Sequence, residues 1–276
     1  MTTSRDTPTV TTPHVHSGTE VHSGDVTANI ALKILSKRIS LQLIVNSGLT
    51  SARELLPIAQ GLTQIASEVA CIESEASGKP VSCRAGCGAC CRQLVPITQP
   101  EAHQLHALVS AMPEPLQIEI KRRFKRAASQ LGEADMLEQL RNAELWSHVN
   151  PVEFANDYFH LGIACPFLEN ESCSIHQVRP MTCRAFSVTS PAENCQNPTP
   201  ENIEMLQHPL PRPSEAFSRA IVGASEGTPT PWVPLVLALD YAKNSAEAIA
   251  EYTGPQLLRA VLEEMTGAEV PEQGLG

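Results

Sequence analysis

The sequence predicts a mainly α, helical single-domain protein arranged around an irregular cysteine-rich, metal-binding centre. Three observations carry that prediction. Apolar residues recur every three or four positions over several long stretches, the period of a one-sided helix. Capping and breaking residues separate those stretches. Eight of the nine cysteines fall in two groups that lack a helical period: Cys83, Cys87, Cys90 and Cys91, then Cys165, Cys173, Cys183 and Cys195.

The elements follow in order. Residues 1–25 are rich in Thr, Ser, His, Pro and Gly and show no periodicity, so a disordered tail is expected there. His14, His16 and His22 lie in that tail with nothing to fix their geometry. The helical domain is expected over residues 26–270. Residues 26–46 carry Ile30, Ile34, Leu35, Leu41 and Val45 between polar residues, read as a helix that Asn46-Ser47-Gly48 ends. Ser51 and Glu54 form a capping-box pattern for a helix over 52–76, with Leu55, Ile58, Leu62, Ile65, Val69 and Ile72 as its apolar stripe. Cys71 falls on the opposite face of that helix and reads as a structural thiol. Leu94 to Thr98 reads as extended, and Thr98 with Pro100 starts a helix to about Met112. Helices are also expected at 115–131, 134–148, 214–224, 233–251 and 254–266.

Bulk properties narrow the function. The chain has 276 residues, 42% of them hydrophobic but only 4% aromatic, so its core must be aliphatic. A formal net charge of −10 argues against nucleic-acid binding through overall charge. The first residues are polar and carry no apolar signal region, which makes a cytoplasmic location the expectation. No apolar run such as Pro234 to Leu239 reaches the roughly 20 residues of a membrane span, so no membrane is expected as a partner. The segment 121–126 gathers five of the 20 Lys and Arg residues. It reads either as a solvated helix face or as a docking patch for an acidic protein partner or for RNA.

The chemistry lies in the cysteines. In the cytoplasm, dense cysteines more often mean metal than disulfides. Thiolates are preferred ligands of zinc and of iron–sulfur clusters. Cys87 and Cys90 have the two-residue gap of a metal knuckle, and Gly86 and Gly88 let the backbone turn tightly around Cys87. Cys90 and Cys91 are adjacent and cannot easily face one centre with equal geometry. Cys165 and Cys173 bracket a polar tip suited to a hairpin. Arg84, Arg92, Arg179 and Arg184 sit beside the cysteines. Cationic neighbours suit a site whose four thiolates around zinc, or around an oxidised four-iron cluster, would carry a charge of about −2. The candidate metal ligands are therefore Cys83, Cys87, Cys90, Cys91, Cys165, Cys173 and Cys183, in a core over about residues 80–195. Cys195 lies nearby, outside the strongest pattern. His160, His176 and His208 read as structural or surface residues.

The pattern Cys83-x₃-Cys87-x₂-Cys90-Cys91, Cys165-Pro166-Phe167-Leu168, Cys173-Ser174-Ile175 and Arg179-Pro180-x-x-Cys183-Arg184-x-Phe186 resembles the YkgJ-type cysteine-cluster proteins. These form the zinc- or iron-chelating family named for its CxxCxxCC signature. His176 departs from it, standing where a Tyr is usual. The resemblance implies chelation of a zinc ion or an iron–sulfur cluster. It extends to flagellin lysine-N-methylases, which implies a cluster-dependent protein-modifying enzyme as the alternative. No Gly-rich nucleotide loop, His-Glu-x-x-His motif or Ser/His/Asp arrangement accompanies the cysteines.

Overall fold

The structure, a computed structural model, describes residues 10–11, 15–16, 24–142, 150–224, 230–248 and 251–270. Of the expected N-terminal tail, His14 and His22 lie outside the described residues. Strands β1 (Val10–Thr11) and β2 (Val15–His16) run parallel to a later strand.

The helix expected at 26–46 is overturned. The segment is a β-hairpin of β3 (Asp25–Ile34) and β4 (Lys37–Asn46), paired in register from Asp25 with Asn46 to Ile34 with Lys37. Its burial alternates strictly: Ala28, Leu32 and Ile34 on one strand, then Ile39, Leu41, Leu43 and Val45 on the other. That two-residue period, read across both strands, outweighs the sparse helical matches. Leu35 turns the chain with a positive φ of 52°. Strands β1 and β2 flank β4.

Helix α1 (Ala52–Ala76) begins at the predicted capping box of Ser51 and Glu54. Of the predicted stripe, Leu55, Ile58, Leu62, Ile65 and Val69 are buried, whereas Ile72 is exposed in the last turns. At 25 residues, with an 18-residue window of mean hydropathy 1.3, α1 is long and apolar enough to cross a membrane. This corrects the sequence reading that no stretch has that length. Here 61% of that window is buried inside the fold, so α1 acts as a core helix.

Strand β5 (Pro96–Ile97) leads into α2 (Gln99–Ser110), and α3 spans Glu114–Glu133. Helix α4 is short (Leu137–Arg141), and residues 143–149 of the segment expected as helix lie outside the described residues. Helix α5 (Pro151–His160) was not anticipated; Asn150 caps it by accepting from the amides of Val152 and Glu153. A tight hairpin of β6 (Leu168–Glu169) and β7 (Ser172–Cys173) precedes the short α6 (Met181–Ala185). Helix α7 (Pro213–Val222) follows. The helix expected at 233–251 is shorter. Val233–Pro234 is strand β8, antiparallel to β5; a 3₁₀ turn covers Leu235–Leu237; and α8 is Ala238–Asn244. Pairing of Val233 with Ile97 holds the start extended. Helix α9 (Gly254–Thr266) closes the described fold.

Three apolar clusters organise these elements. The first packs β3 and β4 against α1, α7 and α9. Gly254 permits the closest approach there, since a Cβ would lie 2.0 Å from the Asn46 carbonyl oxygen. The second joins α2, α3 and the start of α8 to Phe167 and Ile175, with Cys165, Cys173 and Cys183 packed on its edge. The third joins the end of α3 to α4, α5 and residues 236–237. The cysteine-rich segments lie against the second cluster and face α1 through α6.

Candidate metal centre

The first cysteine group is a sequence of tight turns. Ser82 N–H donates to the Val188 carbonyl at 2.9 Å, which holds the entry strand against the segment after α6. Gly86 takes a φ of +83°, the conformation that glycine adopts without a Cβ penalty. Cys87 N–H then bonds back to Arg84 O at 3.1 Å. Cys91 N–H donates to Gly88 O at 3.1 Å within a 3₁₀ turn over Ala89–Arg92. This turn sets Cys90 and Cys91 at consecutive positions on a tight curve.

The second group is joined to the first through the backbone. Cys165 N–H donates to Cys91 O at 2.7 Å. The β6–β7 hairpin has the predicted polar tip, with Asn170 and Glu171 both at positive φ (50° and 57°). A two-residue hairpin turn requires that combination. Its register sets Leu168 opposite Cys173, and Ser174 N–H returns to Phe167 O at 2.9 Å. Cys183 rides on α6, which is fixed from two sides. Met181 N–H donates to the buried Glu101 carboxylate at 2.7 Å, and the Ser67 hydroxyl of α1 donates to Arg184 O at 2.9 Å.

A clasp presses the two groups together. Arg92 donates to both carboxylate oxygens of Glu171, at 2.6 and 3.0 Å, and to Gly88 O at 3.0 Å. A Cβ on Gly88 would lie 2.7 Å from both Glu171 Oε2 and Leu168 Cδ1 and 3.1 Å from Glu171 Cα, so a larger residue would press on the hairpin. From the far side, Arg123 of α3 donates to Glu169 at 3.0 Å and to Pro166 O at 3.2 Å.

The thiols act on one another across both groups. Cys90 raises the thiol pKa of Cys83 and Cys195 on one side, and of Cys165, Cys173 and Cys183 on the other. Its own thiol is raised by its interaction with Cys91, in which the Cys90 thiol is the donor, and by burial. Burial pushes Cys165 up to about 12 and raises Cys183 well above the usual thiol value. Burial also raises Cys83, Cys173 and Cys195. Such thiols stay protonated at neutral pH unless a cation offsets the charge of the thiolate. All nine cysteines are free. Among the described residues, no three His, Cys, Asp or Glu side chains converge tightly enough to hold a metal ion as they stand.

Cys195, which lies outside the strongest sequence pattern, sits beside the first group. It is buried at 5% exposure on the 3₁₀ turn Ala192–Gln196, which packs against the turn carrying Cys90 and Cys91. Its electrostatic neighbours are Cys83, Cys87 and Cys90. With Cys87 it lines a cavity of about 510 Å³ that also meets Arg84, Arg92, Phe159 and Glu193. Closeness in sequence to Cys183 was its only signal. Cys71 lies within electrostatic reach of Cys83, partly buried on α1.

The arginines divide by role. Arg92 serves the clasp. Arg184 is buried and donates to Arg179 O at 2.8 Å and Gln177 O at 2.7 Å. Arg179 pulls against the burial-driven rise of the Cys83, Cys90 and Cys173 thiols. Its Nε is buried without a hydrogen-bond partner. An unpartnered, buried Nε on this half-buried arginine, together with the cysteines themselves, fits a site that carries negative charge on sulfur.

The histidines have other partners. His208 bonds to Leu210, Thr63 and Ser67, and His160 to Asn156 O. His176 is exposed, and Arg179 lowers its pKa. On α3, Arg122 and Arg123 both pair with Glu119, which holds its carboxyl down at about 2. Much of the basic segment 121–126 is thereby occupied within its own helix.

Residues 82–205, under half of the chain, match the family model described as "CxxCxxCC: Putative zinc- or iron-chelating domain". The matched span contains both cysteine groups, including Cys195, and supports metal binding through them. No curated protein and no solved structure matches the chain.

Proposed function

We propose that this protein chelates zinc or an iron–sulfur cluster through thiolates from both cysteine groups. The carrying observation is the backbone hydrogen bond from Cys165 N–H to Cys91 O at 2.7 Å, which brings the second cysteine group against the first. One half of the site would be Cys83, Cys87 and Cys195; the other, Cys165, Cys173 and Cys183. Cys90 and Cys91 would complete each half to four thiolates. Four thiolates satisfy a tetrahedral zinc ion or an iron–sulfur cluster. When bound, the metal would supply the positive charge that these buried thiols need in order to ionise. The protein's own residues turn the knuckle, clasp it to the hairpin and keep water from the distal thiols.

The test is metal and acid-labile sulfide analysis of anaerobically isolated protein, with a visible spectrum. A brown protein with sulfide indicates the cluster; a colourless one with stoichiometric zinc indicates zinc ions. Cys87→Ser with Cys90→Ser is expected to lose metal under either form, and Cys195→Ser to lower the metal content. Full retention in the double variant would refute the site. A cytoplasmic location belongs to the same reading, because reduced thiols are what the site requires.

A further inference from the structure

We propose that β3 is a dimerisation edge: two copies of this chain pair their β3 strands antiparallel about a two-fold axis at Asn29, joining both hairpins into one continuous sheet. The inference lies apart from the cysteine centre and does not rest on the chelating reading.

The hairpin fixes which backbone groups face outward. Its turn is Leu35-Ser36, between the paired Ile34 and Lys37, and at the open end Ser47 N–H donates to Gly24 O at 3.0 Å. Bonded and non-bonded pairs alternate along an antiparallel ladder, so both ends assign the even-numbered residues of β3 to the bonds with β4. Thr27, Asn29, Ala31 and Lys33 therefore direct their N–H and C=O groups away from β4. Among the described residues, no strand pairs with that edge, and no loop or cap hydrogen bond reaches those groups. The strand runs for 10 residues in unbroken register, with neither proline nor bulge, two devices that ordinarily blunt an edge. A lysine is another such device, and Lys33 is the one lysine in β3.

A second copy answers that lysine. With Asn29 opposite its own counterpart, Thr27 faces the second copy's Ala31, and Asp25 faces the second copy's Lys33, twice by symmetry. These side chains share the outer face of the sheet, where Thr27, Asn29, Ala31 and Lys33 are exposed. Opposite charges set across a strand pair attract, and like charges repel. Sliding the strands in either direction separates Asp25 from Lys33 and shortens the paired stretch. The core-facing side gains as well. Val26 and Ile30 are half-buried there, Ile30 against the first apolar cluster. In this register they lie opposite the second copy's Leu32 and Ala28, which covers apolar area now open to water. The charge match is what selects a second copy over an unrelated strand.

The test is analytical ultracentrifugation of the full-length protein over a range of concentrations, in reducing buffer so that no disulfide links copies. A reversible monomer–dimer equilibrium is expected. Lys33→Asp replaces both attractive pairs with acidic ones and is expected to weaken the dimer about 10-fold. Asp25→Lys combined with Lys33→Asp reverses both charges and is expected to restore the wild-type affinity. Asn29→Pro removes an outward N–H without touching the bonds to β4, and is expected to leave a monomer at every concentration. Circular dichroism checks that each variant is folded. Amide exchange at Thr27, Asn29 and Ala31 is expected to speed up on dilution to the monomer. A wild-type protein that stays monomeric would overturn the proposal. So would a dimer that Lys33→Asp and Asn29→Pro leave equally tight, which would lie on another surface. Slow exchange of those amides in the monomer would overturn it too, by showing that the chain's own residues cover the edge. Weakening in Lys33→Asp that the double variant does not reverse would overturn the register, and the proposal with it.

Discussion

Gly88 shows how much depends on a missing side chain. Its φ of −97° suits any residue, so local strain does not explain its presence. The constraint is contact, with Glu171 and Leu168 occupying the space a Cβ would need. Glu171 Oε2 can swing away, but the Glu171 Cα at 3.1 Å belongs to the hairpin backbone. Gly88→Ala is therefore expected to push the knuckle off the hairpin and open the Arg92–Glu171 clasp. Overpacking of this kind costs about 1–3 kcal/mol. Urea unfolding should show the loss, and metal retention should fall with it. Unchanged stability and retention would mean that the clasp is incidental. The glycine was legible in the sequence only as a turn former; its contact with a hairpin some 80 positions away was not.

Glu101 does at the level of elements what Gly88 does locally. It completes the capping box of α2, accepting from Thr98 N–H and hydroxyl, and also accepts from Met181 N–H at the start of α6. One buried carboxylate thus sets the angle between α2 and the helix that carries Cys183. Burial raises its pKa, and the hydrogen bonds from Thr98, Met181 and Gln60 pull against that rise. The folded state then holds the proton to higher pH than the unfolded chain. This group's contribution is full below the ordinary carboxyl value and fades as pH rises through the folded one. Glu101→Gln should remove that pH dependence. It should also cost about 1–3 kcal/mol, because the new amide N–H₂ meets a backbone N–H that loses its acceptor. Stability curves of both proteins at several pH values would check this, and parallel curves would refute it.

Elements such as α1, α2, α3 and α9 were legible because their caps and stripes are local. The hairpin at 25–46 was misread because Leu35 and Leu41 also fit a helical spacing, and only the pairing partner decides between the periods. Helices α5 and α6 are short and take their stability from tertiary contacts, including the Glu101 bond to Met181, which no local window contains. Among candidate site residues, the seven motif cysteines are marked by local spacing. The place of Cys195 depends on how two 3₁₀ turns pack, and the sequence does not encode that locally.

At the scale of the whole molecule, the three apolar clusters depend unequally on the cysteine centre. The first, with β3, β4, α1, α7 and α9, contains no motif cysteine. The second carries Cys165, Cys173 and Cys183 on its edge. Removing the metal should therefore loosen the molecule unevenly. Amide exchange is expected to speed up in α2, α3 and the 163–183 segment while the hairpin, α7 and α9 keep their protection. Uniform loss of protection would show one cooperative unit, and no loss would show that the metal does not hold the fold together.

The clasp between Arg92 and Glu171 bears on how the site is loaded. It is partly open to solvent, with side chains 33% and 50% exposed, and it closes a loop of nearly 80 residues before any metal arrives. The cysteines of the two groups are then ligands at high local concentration rather than ends of a long chain that must first meet. Mobile ions screen an ion pair at such a position. Capture of metal by the empty protein becomes a rate that salt can slow, even though the ion that is caught ends among buried sulfurs where salt has little reach.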